Sequence, residues 1–439
     1  MRSNLKGLHD AIQKLQNTAL SLAESLEIVD EVYSLLQAIG DAINETVKNA
    51  FESVLKKDRF CQIKMLKRTS TAILAMAFLG VISFVIIFIV LRAERCQRQL
   101  ELVHVVMRHG ARTPVSTYPN DPYINDTLYP TGWGQLTNEG KLHLYNIGRF
   151  LRERYSDYLG THYSPDIFYT QSTDTDRTKA SMQLVNAGLW PPEPAQQWGP
   201  LEWQPVPIYA EPLDEDMLLL VRKPCAQYHI ERDRVIRTEE VQRVFQQYAP
   251  LFEELTEITG QNVTDFDGVQ DIFSTLRAEE AYNLTLPEWS KSYYPDKMWQ
   301  PTAFSFVLNA YNEKLNRLKG GVFLKKILSD WRSKVEGTLM PEERKAFLYG
   351  GHDSTISNLM STLKVWDAQM PDYGITVLLE LSRDLDTDQY GVELTVPGCD
   401  SFCPLEKLME LTEDVVPQDW EEECRTDDES YVVPTLSGP

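Results

Sequence analysis

The chain reads Leu100-Glu-Leu-Val-His-Val-Val-Met107 and continues as Arg108-His-Gly-Ala-Arg-Thr-Pro114. A short run of β-branched residues that ends at a glycine turn predicts a buried β-strand followed by a loop. Ligands of open α/β sheets bind at the carboxyl ends of the strands. The charged residues after Met107 are therefore expected at a binding site, whereas His104, inside the apolar run, is expected to be a packed core histidine.

Two later segments repeat this order of elements. Residues 165–170 predict a strand, and the polar stretch after it leads to Arg177 at the start of a predicted helix. Residues 345–349 predict another strand, which is followed by Gly350-Gly-His-Asp353 and an amphipathic run over 356–363. The recurrence of strand, turn and helix is typical of α/β proteins.

The three predicted strand ends supply fixed positive charge. Arg108 and Arg112 follow the first strand, and Arg177 follows the second. Arginine guanidinium groups match pairs of phosphate oxygens, and phosphoryl transfer needs mainly positioning and charge stabilisation. The arginines therefore indicate phosphate chemistry that requires no metal ion.

The same strand ends carry candidates for the reacting groups. His109, as a neutral imidazole, can attack phosphorus and form a covalent intermediate. His352 adds a hydrogen-bond donor, and Asp353, when protonated, can give its proton to the leaving alcohol. The usual zinc and P-loop motifs are missing from the sequence, so we expect neither a metal nor a cofactor.

Composition narrows the class of protein. The chain has 439 residues, which at roughly 150 residues per domain allows two or three folded units. Hydrophobic residues make up 43%, a value that excludes wholesale disorder. The formal net charge of −21 disfavours a nucleic-acid partner, because an acidic chain repels phosphate backbones.

One segment predicts contact with a membrane. Residues 71–91 contain no charged side chain, and a helix of that length spans the bilayer core of about 30 Å. We interpret the segment as a transmembrane signal anchor; a buried core helix and a cleaved signal peptide are the alternatives. More basic residues precede the segment than follow it, which favours a cytosolic N-terminus. The remainder would then face the lumen or the exterior.

The residues before this segment have a different pattern. Apolar or small residues recur at alternating steps of four and three from Leu8 to Val54, which predicts a helical, heptad-like cytosolic segment over residues 1–64. Such a segment could assemble several chains; an amphipathic helix or hairpin without a separate role is the alternative. Translation from Met65 would leave this segment out of the mature protein.

The motifs together resemble one known family. Arg108-His-Gly-Ala-Arg-Thr-Pro114 resembles the RHGxRxP signature of the histidine acid phosphatases, His352-Asp353 resembles their HD motif, and Arg177 matches their third phosphate-binding arginine. The similarity covers residues 98–425 and is greatest to the lysosomal and prostatic type. It implies that His109 becomes the phosphohistidine and that Asp353 is the proton donor. The implied phosphate ligands are Arg108, Arg112, Arg177 and His352.

The resemblance also implies an architecture. It predicts an α/β fold with a mixed, mostly parallel sheet flanked by helices and a smaller α-helical domain inserted at about residues 190–320. Residues 426–439 would form an acidic, polar tail. The resemblance further implies that two copies of the chain can form a homodimer. The stretch between Gly391 and Pro397 is shorter than in relatives, so the edge of the sheet is expected to differ.

Cysteines and glycosylation sequons fit the luminal interpretation. Cys96 borders the predicted anchor, and four cysteines lie further along the chain: Cys225, Cys399, Cys403 and Cys424. This even number suits two disulfides in an oxidising compartment. The resemblance implies the pairs Cys225–Cys424 and Cys399–Cys403. The candidate glycosylation sites on this side are Asn125, Asn262 and Asn283.

The sequence therefore predicts a membrane-anchored acid phosphatase that acts on phosphate monoesters, either small molecules or phosphoproteins. A phytase-like or other inositol- or sugar-phosphate phosphatase is the alternative on the same scaffold. Such an enzyme would need extra lysines and arginines for a polyanion, and the acidic balance of the chain disfavours that. A third hypothesis is a binding protein without activity, which would be expected to have lost some of the catalytic residues.

Overall fold

The computed structural model describes residues 98–394, 396–399 and 401–434. The predicted heptad segment 1–64 and the predicted membrane anchor 71–91 lie outside these residues. Within the described part, no helix combines the length and the apolar character that crossing a bilayer requires.

A six-stranded sheet forms the centre of the described part. Its strands are β1 (Arg98–Arg108), β2 (Phe168–Ser172), β3 (Ala346–Gly351), β4 (Thr376–Asp384), β5 (Tyr390–Val392) and β6 (Cys403–Pro404). They lie in the order β2-β3-β1-β4-β5-β6. β1 and β2 each pair with β3 in parallel, whereas β5 pairs antiparallel with both β4 and β6.

The prediction of a mixed sheet is confirmed, but parallel pairing dominates only the β2-β3-β1 half. Residues 385–389 between β4 and β5 are too few for the crossover that a parallel pair requires, so these strands form an antiparallel hairpin. The motif-bearing strands β1, β2 and β3 belong to the parallel half, where all carboxyl ends meet at one edge.

Helices account for about half of the remaining described chain. They are α1 (Asn138–Leu159), α2 (Asp176–Leu189), α3 (Ala226–Ile236), α4 (Glu239–Thr259), α5 (Phe266–Ala281), α6 (Asp296–Asn309), α7 (Glu313–Leu318), α8 (Gly320–Val335), α9 (Asp353–Thr362), α10 (Leu405–Thr412) and α11 (Trp420–Glu423). Short 3-10 helices occupy Glu288–Ser292 and Glu413–Val415.

Side chains of β1 alternate between two hydrophobic cores, as the period of a strand requires. Val105 and Met107 belong to a core that includes residues of α1 and α2. Leu102 and Val106 belong to a second core with residues of α8 and α9. Helices therefore cover the strand on both faces, which explains why the run reads as continuously apolar.

His104 lies in this strand as predicted, completely buried and stacked on Phe347 at a ring distance of 4.9 Å. Its Nε2 contacts the Asp330 carboxylate at 3.0 Å. The prediction of a packed core histidine is confirmed.

Helices α3 to α7 contribute to a third core, which includes Phe266, Phe273 and Phe306. A disulfide joins Cys225, which precedes α3, to Cys424 after α11. The second disulfide, between Cys399 and Cys403, lies beside the short strand β6. Both pairings are those that the family resemblance implied. The edge strands β5 and β6 are short.

Candidate active site

Three strand ends meet at one edge of the parallel half of the sheet. In the strand register Arg108 lies opposite Gly351, and Ser172 lies opposite Gly350. The ladder continues one residue further, because the His109 amide donates to the Gly351 carbonyl at 3.0 Å and the Thr173 amide donates to the Gly350 carbonyl at 3.1 Å. The residues that follow β1, β2 and β3 are thus held side by side.

His109 lies at the centre of this edge and is 2% exposed. Its Nδ1 is 2.9 Å from the Gly110 carbonyl oxygen. Because a carbonyl can only accept, Nδ1 carries a proton and Nε2 holds the lone pair of the neutral ring. Burial, together with the nearby charges of Arg108 and Arg177, lowers the pKa of His109 well below its usual value. The imidazole therefore stays neutral and nucleophilic in mildly acidic solution.

Arg108 is fully buried, and its side chain contacts three other residues. Its Nη2 lies 2.8 Å from Asp353 Oδ2, its Nη1 donates to the Pro371 carbonyl, and its guanidinium carbon lies 4.4 Å from the centre of the Tyr373 ring. Burial lowers the pKa of Arg108, and the Asp353 carboxylate opposes this shift. The ion pair connects the phosphate-binding arginine to the predicted proton donor.

Asp353 begins helix α9, and its side chain is 19% exposed. Its Oδ1 accepts from the Ser354 amide at 2.8 Å, which leaves the carboxyl group fixed by the helix terminus and by Arg108. A carboxyl group that is anchored yet reachable suits a proton donor to a leaving oxygen.

Arg177 and His352 lie against each other on the remaining side. Arg177, in the first turn of α2, donates from Nη2 to His352 Nδ1 at 3.4 Å. His352 Nε2 therefore carries the ring proton and donates it to Thr173 Oγ1 at 2.8 Å. Both ring nitrogens contact protein groups, so His352 orients Arg177. For His352 Nε2 to donate to a substrate, its hydrogen bond to Thr173 Oγ1 must first break.

Burial and the surrounding arginines shift both pKa values in this pair. Desolvation, aided by the charge of Arg112, lowers the pKa of Arg177 to about 10. Desolvation and the charge of Arg177 lower the pKa of His352 well below its usual value. Arg177 thus remains a cation at acidic pH, while His352 remains neutral.

Arg112 completes the cluster. It is 9% exposed and donates from Nη1 to the Thr113 carbonyl at 3.1 Å. Its charge also contributes to the lowered pKa of His109. The structure thus brings together all six residues that the sequence singled out: Arg108, His109, Arg112, Arg177, His352 and Asp353.

The cluster has more positive charge than its own groups balance. Asp353 is the carboxylate paired with Arg108, and the Nε atoms of Arg108, Arg112 and Arg177 are buried without a hydrogen-bond partner among the described residues. Buried charged donors without partners are costly. An anion with several acceptor oxygens would satisfy them, and the phosphate group of a monoester has this chemistry.

Sequence reasoning missed the residues that support the cluster. Ser181 Oγ accepts from the Gly110 amide at 3.2 Å and donates to the Arg177 carbonyl at 2.6 Å, which joins the first motif to α2. Pro371 and Tyr373 contact Arg108 from the loop before β4. The stretch Pro371-Asp-Tyr-Gly374 is a recognisable turn signal, but nothing local in it indicates a contact with a motif far away in the chain.

Comparison with known proteins identifies the family of the chain. The family model described as histidine phosphatase superfamily (branch 2) matches residues 99–396. The chain belongs to this superfamily. It is 35% identical over 344 residues to venom acid phosphatase Acph-1 of Apis mellifera, which covers 75% of this chain and 88% of that protein.

Two human members of the superfamily are about as similar. Human prostatic acid phosphatase is 34% identical over 349 residues, covering 75% of this chain and 89% of that protein. Human lysosomal acid phosphatase is 34% identical over 346 residues, covering 75% of this chain and 81% of that protein.

Solved structures share the fold at lower identity. The phytase of Klebsiella sp ASR1 superimposes with a TM-score of 0.55 at 18% identity and covers 74% of this chain and 99% of its own. The Hafnia alvei phytase in complex with myo-inositol hexakis sulphate gives a TM-score of 0.55 at 17% identity, with 75% and 99% covered. These similarities concern the architecture of the phosphatase part.

The electrostatics of the site predict how activity depends on pH. The positive charge of Arg177 lowers the pKa of His109, so its removal in Arg177→Met should raise that pKa. The acid limb of kcat/KM, which reports the free enzyme, should then move to higher pH by about one unit. The maximal rate should fall on the order of 10²–10³-fold through loss of transition-state stabilisation.

Arg177→Lys is the matched control, because it keeps the charge and loses the planar fork. Its acid limb should stay near that of the wild type while its rate falls. An acid limb that stays in place or moves to lower pH in Arg177→Met would show that this guanidinium does not act on His109.

Proposed function

We propose that the protein is an acid phosphatase that hydrolyses phosphate monoesters through a covalent phosphohistidine on His109. One observation carries the proposal: a buried, neutral imidazole with its Nδ1 proton committed to Gly110 lies among Arg108, Arg112 and Arg177. A nucleophile inside a cationic pocket is what attack on an anionic phosphate requires. The sequence similarity to named acid phosphatases supports the same activity.

In the first step the arginines hold the phosphate oxygens, and the lone pair on His109 Nε2 forms a bond to phosphorus. The bond from phosphorus to the ester oxygen breaks, and that oxygen takes the proton of Asp353 and leaves as an alcohol. The His109 ring becomes a phosphorylated cation, whose Nδ1 proton remains bonded to the Gly110 carbonyl. Charge that develops on the phosphoryl oxygens is stabilised by guanidinium groups already in place.

In the second step a water molecule attacks the phosphohistidine. Asp353, now a carboxylate, accepts a proton from this water, the nitrogen–phosphorus bond breaks, and inorganic phosphate is released. Asp353 returns to its protonated form and His109 to its neutral form, so the cycle is closed. The lowered pKa of His109 preserves the lone pair that the first step needs.

The proposal extends to the domain organisation of the chain and to its placement in the cell. We propose a catalytic domain over 98–425 with a helical subdomain at about 190–320, a luminal or extracellular placement and a membrane anchor at 71–91. The two disulfides support an oxidising compartment. Protease protection in sealed vesicles tests the topology. The sequon asparagines are exposed, which suits glycosylation at Asn125, Asn262 and Asn283.

Trapping of the intermediate tests the proposed function. Brief reaction with a ³²P-labelled monoester, quenched in alkali where phosphohistidine survives, should label the wild-type chain on a peptide that contains His109. His109→Ala should carry no label, and its turnover should fall by roughly 10⁴-fold or more because the nucleophile is lost. Turnover near the wild-type level in His109→Ala, or label on another residue, would refute the covalent route.

The role of Asp353 predicts a dependence on the leaving group. Asp353→Asn removes the transferable proton, so hydrolysis of an alkyl phosphate should slow by about 10²–10⁴-fold. Nitrophenyl phosphate, whose leaving group needs little protonation, should be affected much less in the same variant. Steady-state rates on both substrates decide the matter, since equal losses would mean that Asp353 acts through Arg108 and not as an acid.

A further inference from the structure

The five residues before β4, Pro371–Ile375, form what we call the clamp, because they hold the first motif by its backbone and by a side chain. The Ile375 carbonyl accepts from the Arg108 amide at 3.0 Å, and the Gly374 amide donates to the His109 carbonyl at 3.1 Å. The Pro371 carbonyl accepts from the Arg108 guanidinium. The positions of both motif residues therefore depend on the clamp.

Gly374 allows the clamp its close approach. Its φ of +72° lies in the left-handed region, where a side chain is strained, and a Cβ there would lie 2.9 Å from the His143 ring. The clamp therefore requires glycine at position 374 to lie this close to α1.

Tyr373 supplies the contact between the clamp and the site. Its ring centre lies 4.4 Å from the guanidinium carbon of Arg108 and 5.8 Å from the centre of the His109 ring. A second cation, Arg277, lies 5.1 Å from the same ring centre. Cations are attracted to the faces of aromatic rings, so Arg277 and Arg108 are both attracted to this ring.

Arg277 comes from helix α5, whose Phe273 and Leu276 are fully or nearly fully buried in the third core. Its side chain is 16% exposed and donates from Nη2 to the Asp372 carboxylate, which is 80% exposed. Its Nη1 is buried without a hydrogen-bond partner among the described residues. The described polar and ring contacts of Arg277 are thus with Asp372 and Tyr373, two adjacent residues of the clamp. Helix α5, which packs into the third core, holds Arg277 in place.

We propose that Arg277 is a positioning residue for phosphoryl transfer, which holds the clamp through Asp372 and Tyr373 and thereby fixes Arg108 and His109. This inference rests on the proposed function, because it assigns Arg277 to the same reaction. Displacement of a reacting group by about 1 Å can cost on the order of 10²-fold in rate. A helix outside the phosphate cluster therefore contributes to catalysis without contact with the substrate.

The experiment compares kcat and KM for Arg277→Met, Arg277→Lys and a control. Arg232→Met is the control: Arg232, on α3, pairs with Asp267 at 2.6 Å and is 22% exposed, but it lies outside the clamp and the cluster. Arg277→Met should lower kcat about 10–100-fold with KM changed by less than about threefold. Arg277→Lys keeps a cation for the ring and should recover most of the loss. Arg232→Met should keep the wild-type kcat.

Variants of the ring separate positioning from stability. Tyr373→Leu removes the aromatic face and should lose about as much kcat as Arg277→Met. The double variant Arg277→Met, Tyr373→Leu should lose no more than about threefold beyond the worse single variant, because both changes break one connection. Melting temperatures recorded for all variants show whether a loss of kcat tracks a loss of stability.

Three outcomes overturn the inference: Arg277→Met keeps the wild-type kcat, the loss appears in KM alone, or the two single losses multiply in the double variant. A loss in KM alone would assign Arg277 to substrate binding instead. Trapping of ³²P on the wild-type chain separates this test from the proposed function. If no label is trapped, the proposed phosphohistidine intermediate is refuted. The comparison of kcat values would still decide whether Arg277 positions the site.

Discussion

The site depends on the burial of three guanidinium groups around the imidazole of His109, with the Asp353 carboxylate paired to one of them. Like charges in a low-dielectric environment repel each other, and donors without partners add to the cost. The rest of the fold must therefore stabilise an arrangement that is unfavourable without an anion. Burial, together with the charges of the arginines, lowers the pKa of His109, so the features that make the cluster unfavourable without an anion also keep its nucleophile neutral.

The fold stabilises this arrangement by placing the residues of the cluster at the ends of strands and at the starts of helices. The parallel register aligns the ends of β1, β2 and β3, and helices α2 and α9 begin at Asp176 and Asp353 beside them. Hydrophobic cores on both faces of β1 stabilise the strand that carries Arg108. The helical region adds Arg277, which contacts the clamp before β4, so a separate core also bears on the geometry of the reaction.

Much of the site was predictable because its residues sit in local patterns. The apolar run before Arg108 and the glycines before His352 mark strand ends, and parallel strand ends meet at one edge. The antiparallel half of the sheet was not recognised, since β5 and β6 are too short to show a period. Tyr373 and Arg277 escaped prediction for another reason: their importance lies in contacts between distant segments, which composition and spacing do not reveal.

The central claim is that the folded chain keeps His109 as a neutral ring with its proton on Nδ1 in acidic solution. ¹⁵N NMR of the histidine-labelled, ligand-free protein at pH 5 tests this directly, with the His109 signals assigned by their loss in His109→Asn. The account predicts one protonated nitrogen, Nδ1, and one unprotonated nitrogen, Nε2, for this ring. Two protonated nitrogens at pH 5, or a proton on Nε2 alone, would contradict it.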